Sequence, residues 1–252
     1  MIIVFGGTHE THEICDFLLE NDFDFILCTA TEYSMNSFSK YKEHLMIKKL
    51  DSDQMTDLIH EKNIKLLIDV THPYAAEVSQ NIMKAAEKTD AEYIRFQRKQ
   101  LFEDDMPGVQ RAESHEEAAL LALKIGTRPF LAVGSNNAAV YIKYKEFEKI
   151  YIRVLPTSSV LKKCEDLGYR SGTIIAMQGP FSKELNKQLL IDCHCDIMIT
   201  KDSGAAGGFL EKYEACRELD IPLIVVGRPE IEYKNNYDDI EDIKTLLAEY
   251  KR

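Results

Sequence analysis

The sequence has no excess of basic residues. Its 252 residues include 31 Lys and Arg against 42 Asp and Glu, which gives a formal net charge of −11. DNA or RNA binding requires a basic face that neutralises phosphates, so this charge argues against a nucleic-acid partner. An anionic small molecule would have to be bound by a local basic pocket, against the field of the whole molecule.

Long apolar segments are also missing. No run approaches the roughly 20 apolar residues of a membrane-spanning helix. The opening MIIVFGG lacks the charged and apolar regions of a secretory leader. We therefore expect a cytoplasmic protein with no membrane contact.

The chain has neither a disulfide framework nor a metal motif. Its six cysteines lie in apolar segments without a recognisable spacing, which predicts reduced, mostly buried thiols. His9 and His12 are three residues apart, whereas the zinc motif H-E-x-x-H places its histidines four apart. Cys193 and Cys195 have no second ligand pair at a usable spacing. We expect no metal site.

Short apolar runs alternate with amphipathic segments from end to end, and this pattern starts again after residue 113. Fully apolar strands separated by helices indicate parallel sheets that are covered on both faces. The sequence predicts an α/β fold of two Rossmann-like domains, residues 1–113 and 114–252. The predicted strands cover residues 2–5, 23–28, 66–69, 93–96, 130–133, 151–154, 173–177, 196–200 and 223–226.

Polar, glycine-rich turns follow many of these strands. Ligands of open α/β sheets bind outside the carboxyl ends of the strands, and functional residues concentrate in such loops. The first turn, Gly6-Gly7-Thr8, would let backbone amides and a helix start approach a phosphate. It is not a full G-x-G-x-x-G motif, and a tight strand-to-helix turn without a ligand is the alternative.

Three further turns are candidates for the same reason. Asp69 to Pro73 carries His72, which could donate a hydrogen bond or a proton near neutral pH, unless it is merely solvated. Gln178 to Ser182 joins a strand to a helix that Ser182 would cap. Lys201 to Gly204 combines a cation, a carboxylate, a hydroxyl and a glycine, although a Lys–Asp ion pair without a ligand is a rival interpretation.

Basic residues also stand next to strand ends, which is notable in an acidic protein. Single ones are usually solvated surface charges, but several in one cleft would suit a substrate with many carboxylates. They are Arg95, Arg98, Lys99, Arg111, Arg153, Lys201, Lys212 and Arg228.

Eight segments together resemble the precorrin-6A reductase family of cobalamin (vitamin B12) biosynthesis. They are IIVFGGTHE, DVTHPYA, YIRFQR, VGS, RVLP, MQGPFSKELN, TKDSGAAGG and IPLIVVGRP, in the family's order along nearly the whole chain. The resemblance implies two α/β domains with an interdomain active-site cleft. It also implies an NAD(P)H-dependent oxidoreductase that reduces a double bond of precorrin-6A to give precorrin-6B. The sequence is closer to the anaerobic branch, which acts on cobalt-precorrin-6A.

The resemblance suggests roles for the candidate turns. His72 and Lys201 become the candidate proton donors, and Arg95, Arg98, Arg153 and Arg228 become candidate clamps for the carboxylates of the macrocycle. Other enzymes of the cobalamin pathway are candidate partners. The candidate cofactor-binding residues are Gly6, Gly7, Thr8, Thr31, Glu32, Gln178, Gly179, Ser182, Asp202, Ser203 and Gly204.

The segment after the second predicted strand bears on the cofactor. Thr31 and Glu32 would lie near the adenosine ribose, and Glu32 would repel a 2′-phosphate. This favours NADH, with NADPH as the alternative if Lys40 or Lys42 folds back. Two other function classes remain open: a non-catalytic tetrapyrrole- or nucleotide-binding module, and a two-domain tetrapyrrole synthase or lyase.

Overall fold

Two six-stranded parallel sheets, each with helices beside it, make up the protein. A computed structural model describes residues 1–31, 34–103 and 105–250. The strands are β1 (Ile2–Phe5), β2 (Phe25–Thr29), β3 (Leu45–Ile47), β4 (Leu66–Asp69), β5 (Glu92–Phe96), β6 (Val109–Ala112), β7 (Pro129–Ala132), β8 (Tyr151–Val154), β9 (Ile174–Ala176), β10 (Ile197–Lys201), β11 (Leu223–Val226) and β12 (Asn236–Tyr237).

The helices alternate with these strands along the chain, as a doubly wound fold requires. They are α1 (His9–Glu20), α2 (Ser34–Ser37), α3 (Ser52–Lys62), α4 (Ala76–Glu87), α5 (His115–Ile125), α6 (Ala138–Tyr141), α7 (Ser158–Asp166), α8 (Lys183–Asp192), α9 (Phe209–Glu218) and α10 (Ile240–Tyr250). The predicted α/β class with two Rossmann-like sheets is confirmed.

The first sheet has the strand order β12-β5-β4-β1-β2-β3, with all pairs parallel. Chain order reverses between β1 and β4, which makes their carboxyl ends the topological switch point of this sheet. Both strands are buried along their whole length, because each side of the sheet is covered.

The second sheet has the order β6-β11-β10-β7-β8-β9, again with parallel pairs. Its switch point lies between β7 and β10. The loops that follow these two strands contain Gly134-Ser135 and Lys201 to Gly204, so two of the polar turns found in the sequence stand at this position.

The chain divides into two compact units, whose boundaries differ from the predicted boundary after residue 113. The first unit is Met1–Lys99 with Pro229–Arg252, and the second is Gln100–Arg228. Strand β12 pairs with β5 in the first sheet. The apolar face of α10 packs into the core beside α1, with Ile243 and Leu247 fully buried. Burial of this face draws the end of the chain into the first unit, whereas the prediction assigned it to the second.

Three strands escaped prediction. Strands β3, β6 and β12 are short edge strands whose residues are largely exposed or half-buried, so they lack the continuous apolar run that marks a central strand. Strands β1, β4, β8 and β11 have the predicted bounds, and the other predicted strands differ from the observed ones by one or two residues at one or both ends.

The six cysteines are free and buried. Burial raises the pKa of the Cys15 thiol to about 12, with a smaller contribution from Asp16. Within the described ranges, no His, Cys, Asp and Glu side chains form a group of three that could hold a metal ion. No helix in those ranges is long and apolar enough to cross a membrane.

Candidate functional site

The switch point of the first sheet is built from the turn after β1 and the loop after β4. Thr8 links them, because its Oγ1 donates a hydrogen bond to the Val70 carbonyl oxygen at 3.1 Å. Thr8 is also the residue that precedes the first turn of α1. The predicted site residues Gly6, Gly7 and Thr8 therefore lie where a doubly wound sheet places its ligand.

The glycines of this turn make room for a side chain of the protein itself. A Cβ atom on Gly6 would lie 2.4 Å from Thr11 Cγ2, so Gly6 lets the fully buried Thr11 pack against the turn. Thr11 Oγ1 accepts hydrogen bonds from the amides of Gly7 and Thr8 at 3.0 and 3.1 Å. Two amides that could have faced a phosphate are thus already engaged.

A buried ion pair occupies the amino end of α1. Arg98 donates to the Glu10 carboxylate from Nε and from Nη2, at 2.5 and 2.6 Å. Burial by itself would raise the pKa of Glu10, but the hydrogen bonds and the charge of Arg98 outweigh it and hold that pKa below its ordinary value. Arg98, predicted as a carboxylate clamp, here binds a carboxylate of its own chain.

Arg95 is likewise internal. It is fully buried, and its Nη1 lies 2.5 Å from Asp69 Oδ1 and 3.0 Å from Thr71 Oγ1. Tyr93 donates to the other carboxylate oxygen of Asp69 at 3.0 Å. This network fixes the start of the loop after β4, so Arg95 supports the loop instead of facing a ligand.

The fixed loop presents His72 at its half-buried tip. The His72 Nδ1 atom lies 3.3 Å from the Tyr74 amide, which donates to it, and the two rings are 5.7 Å apart. An Nδ1 that accepts a hydrogen bond leaves Nε2 to carry the proton in the neutral ring. Among the predicted ribose-binding residues, Thr31 is exposed and Glu32 lies outside the described residues.

In the second unit, Asp202 is an anchor of the loop after β10. Its Oδ2 accepts from the amides of Leu101 and Phe102 at 2.9 and 3.1 Å, and its Oδ1 accepts from the Gly204 amide at 3.0 Å. Arg228 Nη2 lies 3.6 Å from the same Oδ1. Because these groups take up the carboxylate, Asp202 is placed to position the loop, and Arg228 is placed beside it.

Two side chains donate hydrogen bonds to the same backbone carbonyl of this loop, that of Gly207. Ser203 Oγ donates to the Gly207 oxygen at 3.0 Å, and the Lys212 ammonium donates to the same atom at 2.8 Å. Gly204 has φ +72 and Gly208 has φ +67, conformations that favour glycine. The glycines of this segment therefore shape the loop.

Arg153, at the end of β8, lies against the turn 178–182. Its guanidinium is 4.2 Å from the centre of the Phe181 ring, and its Nη1 donates to Asn186 Oδ1 at 2.8 Å. Gln178 and Gly179 are exposed, and Ser182 Oγ accepts from the Leu185 amide at 3.2 Å, which confirms its predicted capping of α8.

Burial shifts the acid–base properties of this region. It lowers the pKa of Lys201 to about 8 and that of Arg153 to about 10. For Lys212, burial and then the charges of Arg153 and Lys201 lower the pKa to about 7. Burial, with a contribution from Lys201, lowers the pKa of His115 to about 4, so this ring is neutral near pH 7.

Sequence reasoning named Lys212 only as one of eight basic residues next to strand ends, and it assigned no role to His115. The sequence could have indicated Lys212, because Phe209, Lys212 and Cys216 share the buried face of α9. A lysine at a core-facing position of a helix is unusual. The position of His115, whose Nδ1 is 2.7 Å from the Tyr141 hydroxyl, depends on packing between α5 and α6 and has no local signal.

Comparison with known proteins places this chain in a family. The family described as Precorrin-6x reductase CbiJ/CobK matches residues 1–248. The Cobalt-precorrin-6A reductase of Methanocaldococcus jannaschii is 36% identical over 251 residues, 99% of this chain and 99% of that protein. The Cobalt-precorrin-6A reductase of Salmonella typhimurium is 34% identical over 229 residues, 90% of this chain and 87% of that protein.

A solved structure shares the fold. The protein described as CobK precorrin-6A reductase superposes with a TM-score of 0.81 at 20% sequence identity, covering 99% of this chain and 96% of that one. Together with the match over residues 1–248, this agrees with the resemblance found in the eight sequence segments. The chain belongs to the precorrin-6x reductase family.

Proposed function

We propose that this protein is an oxidoreductase of cobalamin biosynthesis that reduces one double bond of cobalt-precorrin-6A to give cobalt-precorrin-6B, with a nicotinamide cofactor as the hydride donor. The observation that carries the proposal is the full-length match to relatives named Cobalt-precorrin-6A reductase, 36% identical over 99% of both chains in one case. The names of these relatives support the cobalt form of the substrate over the metal-free one.

The proposed ligands are a dinucleotide and an anionic macrocycle, bound outside the carboxyl ends of the strands, where ligands of such sheets lie. A bound nicotinamide supplies hydride to the conjugated ring, and the protein supplies position and charge. In the second unit, Arg153 and Lys212 are buried cations that donate to neutral oxygens. Such cations suit phosphate or carboxylate groups.

Two side chains are proposed to deliver the proton that must follow hydride transfer. A proton donor works best when its pKa is near the working pH. Lys201 meets this condition, because burial lowers its pKa to about 8. His72 is the second candidate, held at the tip of the loop that Asp69 and Arg95 fix.

Of the four arginines predicted to bind substrate carboxylates, we keep Arg153 and Arg228 as candidates. Arg95 and Arg98 are engaged with Asp69 and Glu10 inside the first unit, and we assign them the support of its switch-point loops. Arg228 lies beside Asp202 and is 8% exposed, so it would contact a ligand at the edge of the loop after β10.

We propose NADH as the preferred nicotinamide, since a carboxylate at Glu32, after β2, would repel a 2′-phosphate. The ratio of kcat/KM for NADH to that for NADPH measures this preference. A ratio well above one is expected, and a ratio below one would overturn it. A cytoplasmic location belongs to the same proposal, because the six free cysteines suit a reducing compartment.

The function is tested by adding the purified protein to cobalt-precorrin-6A with NADH under anaerobic conditions. Reduction shortens the conjugated system, so the visible spectrum of the macrocycle should shift while NADH is consumed. Saturable binding of the macrocycle without NADH consumption would favour a binding module. Turnover that needs no nicotinamide would favour a synthase or lyase.

Replacement of the proposed proton donor sharpens this test. Lys201→Ala should lower kcat by about 100-fold, the lower end of what a general acid contributes. Lys162→Ala is the matched control, because Lys162 is an exposed lysine of α7 paired with Asp166. Equal kcat in the two variants would remove Lys201 from the mechanism, and His72→Gln would then be tested in the same way.

A further inference from the structure

Three cations of the second unit lie near one another, since Arg153 and Lys201 both act electrostatically on Lys212. Arg153 belongs to β8, Lys201 ends β10, and Lys212 lies on α9. Arg153 is 8% exposed and Lys212 is 6% exposed. In the part of the chain that the structure describes, the hydrogen-bond acceptors of Arg153 and Lys212 are an amide oxygen and a carbonyl oxygen, and neither side chain forms an ion pair.

Two loops next to these cations, segment 204–208 and the turn 178–182, contact each other. A Cβ atom on Gly208 would lie 3.5 Å from Pro180 Cβ and 3.9 Å from the Phe181 amide nitrogen. The segment 204–208 therefore lies against the turn 178–182. Phe181 also stacks on the Arg153 guanidinium at 4.2 Å, and the Gly207 carbonyl in segment 204–208 accepts from Lys212. The contact between this segment and the turn therefore brings Lys212 and Arg153 into the same region.

Burial of like charges in one place is unfavourable. A buried ion costs several kcal/mol unless a counter-charge accompanies it. The groups that face Lys212 are Arg153 and Lys201, which lower its pKa, and Glu211 and Asp202, which raise it. The carboxylate of Asp202 is already engaged by three amides and approached by Arg228. Among the described residues, the charges of Arg153 and Lys212 are therefore compensated only in part.

We infer that Arg153, Lys201 and Lys212 form a binding site for a multiply charged anionic group, either a phosphate of the dinucleotide or carboxylates of the tetrapyrrole. The two possible sources of the anion rest on the proposed function, whereas the site itself does not. Lys212 has no proposed catalytic role and is the residue by which the site can be tested apart from turnover.

The test compares Lys212→Met with the surface control Lys162→Met, which removes the same charge from an exposed position. The Gly207 carbonyl keeps the Ser203 hydroxyl as a donor when Lys212 is replaced, so the loop retains a tie. Without ligand, Lys212→Met should raise Tm by about 2–4 °C, because it removes a buried charge. A lysine with a purely structural role would give a lower Tm.

Binding is then measured by calorimetry with inorganic pyrophosphate, with NADH and with uroporphyrin, a tetrapyrrole polycarboxylate. Lys212→Met should weaken binding of one class of anion by about 10-fold to 100-fold, the range of a charged hydrogen bond. Loss of pyrophosphate and NADH binding identifies a phosphate site, and loss of uroporphyrin binding alone identifies a carboxylate site. Unchanged affinity for all three probes overturns the inference.

Proton uptake provides an independent readout. An anion at the site favours the charged form of Lys212, whose pKa of about 7 in the free protein would rise. Lys212 should therefore take up close to one proton at pH 8 and almost none at pH 6 when the anion binds, measured by calorimetry in buffers of different ionisation enthalpy. Lys201, whose pKa is about 8, adds its own uptake at pH 8 in both the wild type and Lys212→Met. Equal uptake in the wild type and Lys212→Met at pH 8 would contradict the assignment.

The outcomes separate the site from the proposed function. If the wild type reduces cobalt-precorrin-6A while Lys212→Met binds all three probes normally, the function stands and the inference fails. If the probes bind through Lys212 while the wild type consumes no NADH with the macrocycle, the inference stands and the reductase proposal fails.

Discussion

At the scale of single residues, several charged groups that the sequence marked as ligand-binding have partners inside their own unit. Arg98 binds Glu10, Arg95 binds Asp69, and Asp202 accepts three backbone amides. A buried ion pair is costly to break because it leaves one charge uncompensated. Arg95 and Asp202 therefore hold the loops beside the candidate proton donors His72 and Lys201, while Arg153 and Arg228 remain the candidate carboxylate clamps.

The Glu10–Arg98 pair gives a prediction about stability. Glu10→Gln should lower the free energy of unfolding by about 2–4 kcal/mol at pH 7, since it leaves the Arg98 charge without its partner. The folded-state pKa of Glu10 lies below the reference value of 4.5. The pair therefore contributes fully above that pH, and its contribution is lost as the pH falls through the lowered pKa.

Urea unfolding at pH 7 and near pH 3 measures this effect. The difference between the wild type and Glu10→Gln should shrink as the pH falls through the lowered pKa of Glu10, because the wild-type carboxyl then becomes protonated. Glu13→Gln on the same helix is the control, because Glu13 is 43% exposed and lies 4.0 Å from His9, which is also exposed. It should change stability by less than about 0.5 kcal/mol. A pH-independent difference would show that the charge of Glu10 is not the cause.

At the scale of elements, the turn between β1 and α1 lies where the sequence predicted it, but the group that contacts its backbone is a side chain of the protein. Glycines after the first strand predicted close approach of a ligand to the backbone. The close approach exists, but Thr11, in the first turn of the helix, makes it. The predicted position of the turn between the first strand and a helix is confirmed, while its contact with a phosphate stays a prediction.

Thr11→Val should destabilise this turn. The substitution keeps the shape of the buried side chain and removes the acceptor of the Gly7 and Thr8 amides, which should cost about 1–3 kcal/mol. Equilibrium denaturation gives the free energy, and hydrogen exchange of the two amides shows whether they open.

Thr56→Val is the matched control for that change. The Thr56 hydroxyl donates to the Ser52 carbonyl inside α3, a contact within one helix that contributes little. A change below about 0.5 kcal/mol is expected for this control. Should both variants lose the same stability, the hydroxyl of Thr11 would have no special part in holding the turn.

At the scale of the whole molecule, the end of the chain belongs to the first unit although it follows the second in sequence. Strand β12 pairs with β5, and α10 buries Ile240, Ile243 and Leu247 in the core that contains β1 and β4. The first unit therefore includes two separate segments of chain, and it is complete only when the last residues have returned to it.

Ile243→Ala tests this arrangement. Removal of a fully buried isoleucine should cost about 2–5 kcal/mol through the lost burial and the cavity left behind. Hydrogen–deuterium exchange should show faster opening in β1, β4 and α1, with the second sheet much less affected. Ile191→Ala on α8, where the side chain is 46% exposed, is the control and should alter neither unit appreciably. Faster exchange confined to the second sheet would contradict the placement of α10.

The alternation of strands and helices, the two parallel sheets and the polar turns at their carboxyl ends were determined by the sequence itself. They depend on hydrophobic period, glycine and capping residues within short segments, as at β1, β4 and the Ser182 cap of α8. Local patterns of this kind are legible because the physical cause lies within a few neighbouring residues.

Only the tertiary structure decided which partner each charge has and which sheet receives the last residues. The Glu10–Arg98 bond joins residues 88 positions apart, and the contact of Asp202 with the Leu101 amide spans 101 positions. No local pattern encodes such distances, since they follow from how whole elements pack. The same packing brings Arg153, Lys201 and Lys212 together from three different elements, and among the described residues it gives Arg153 and Lys212 only neutral oxygens as hydrogen-bond acceptors.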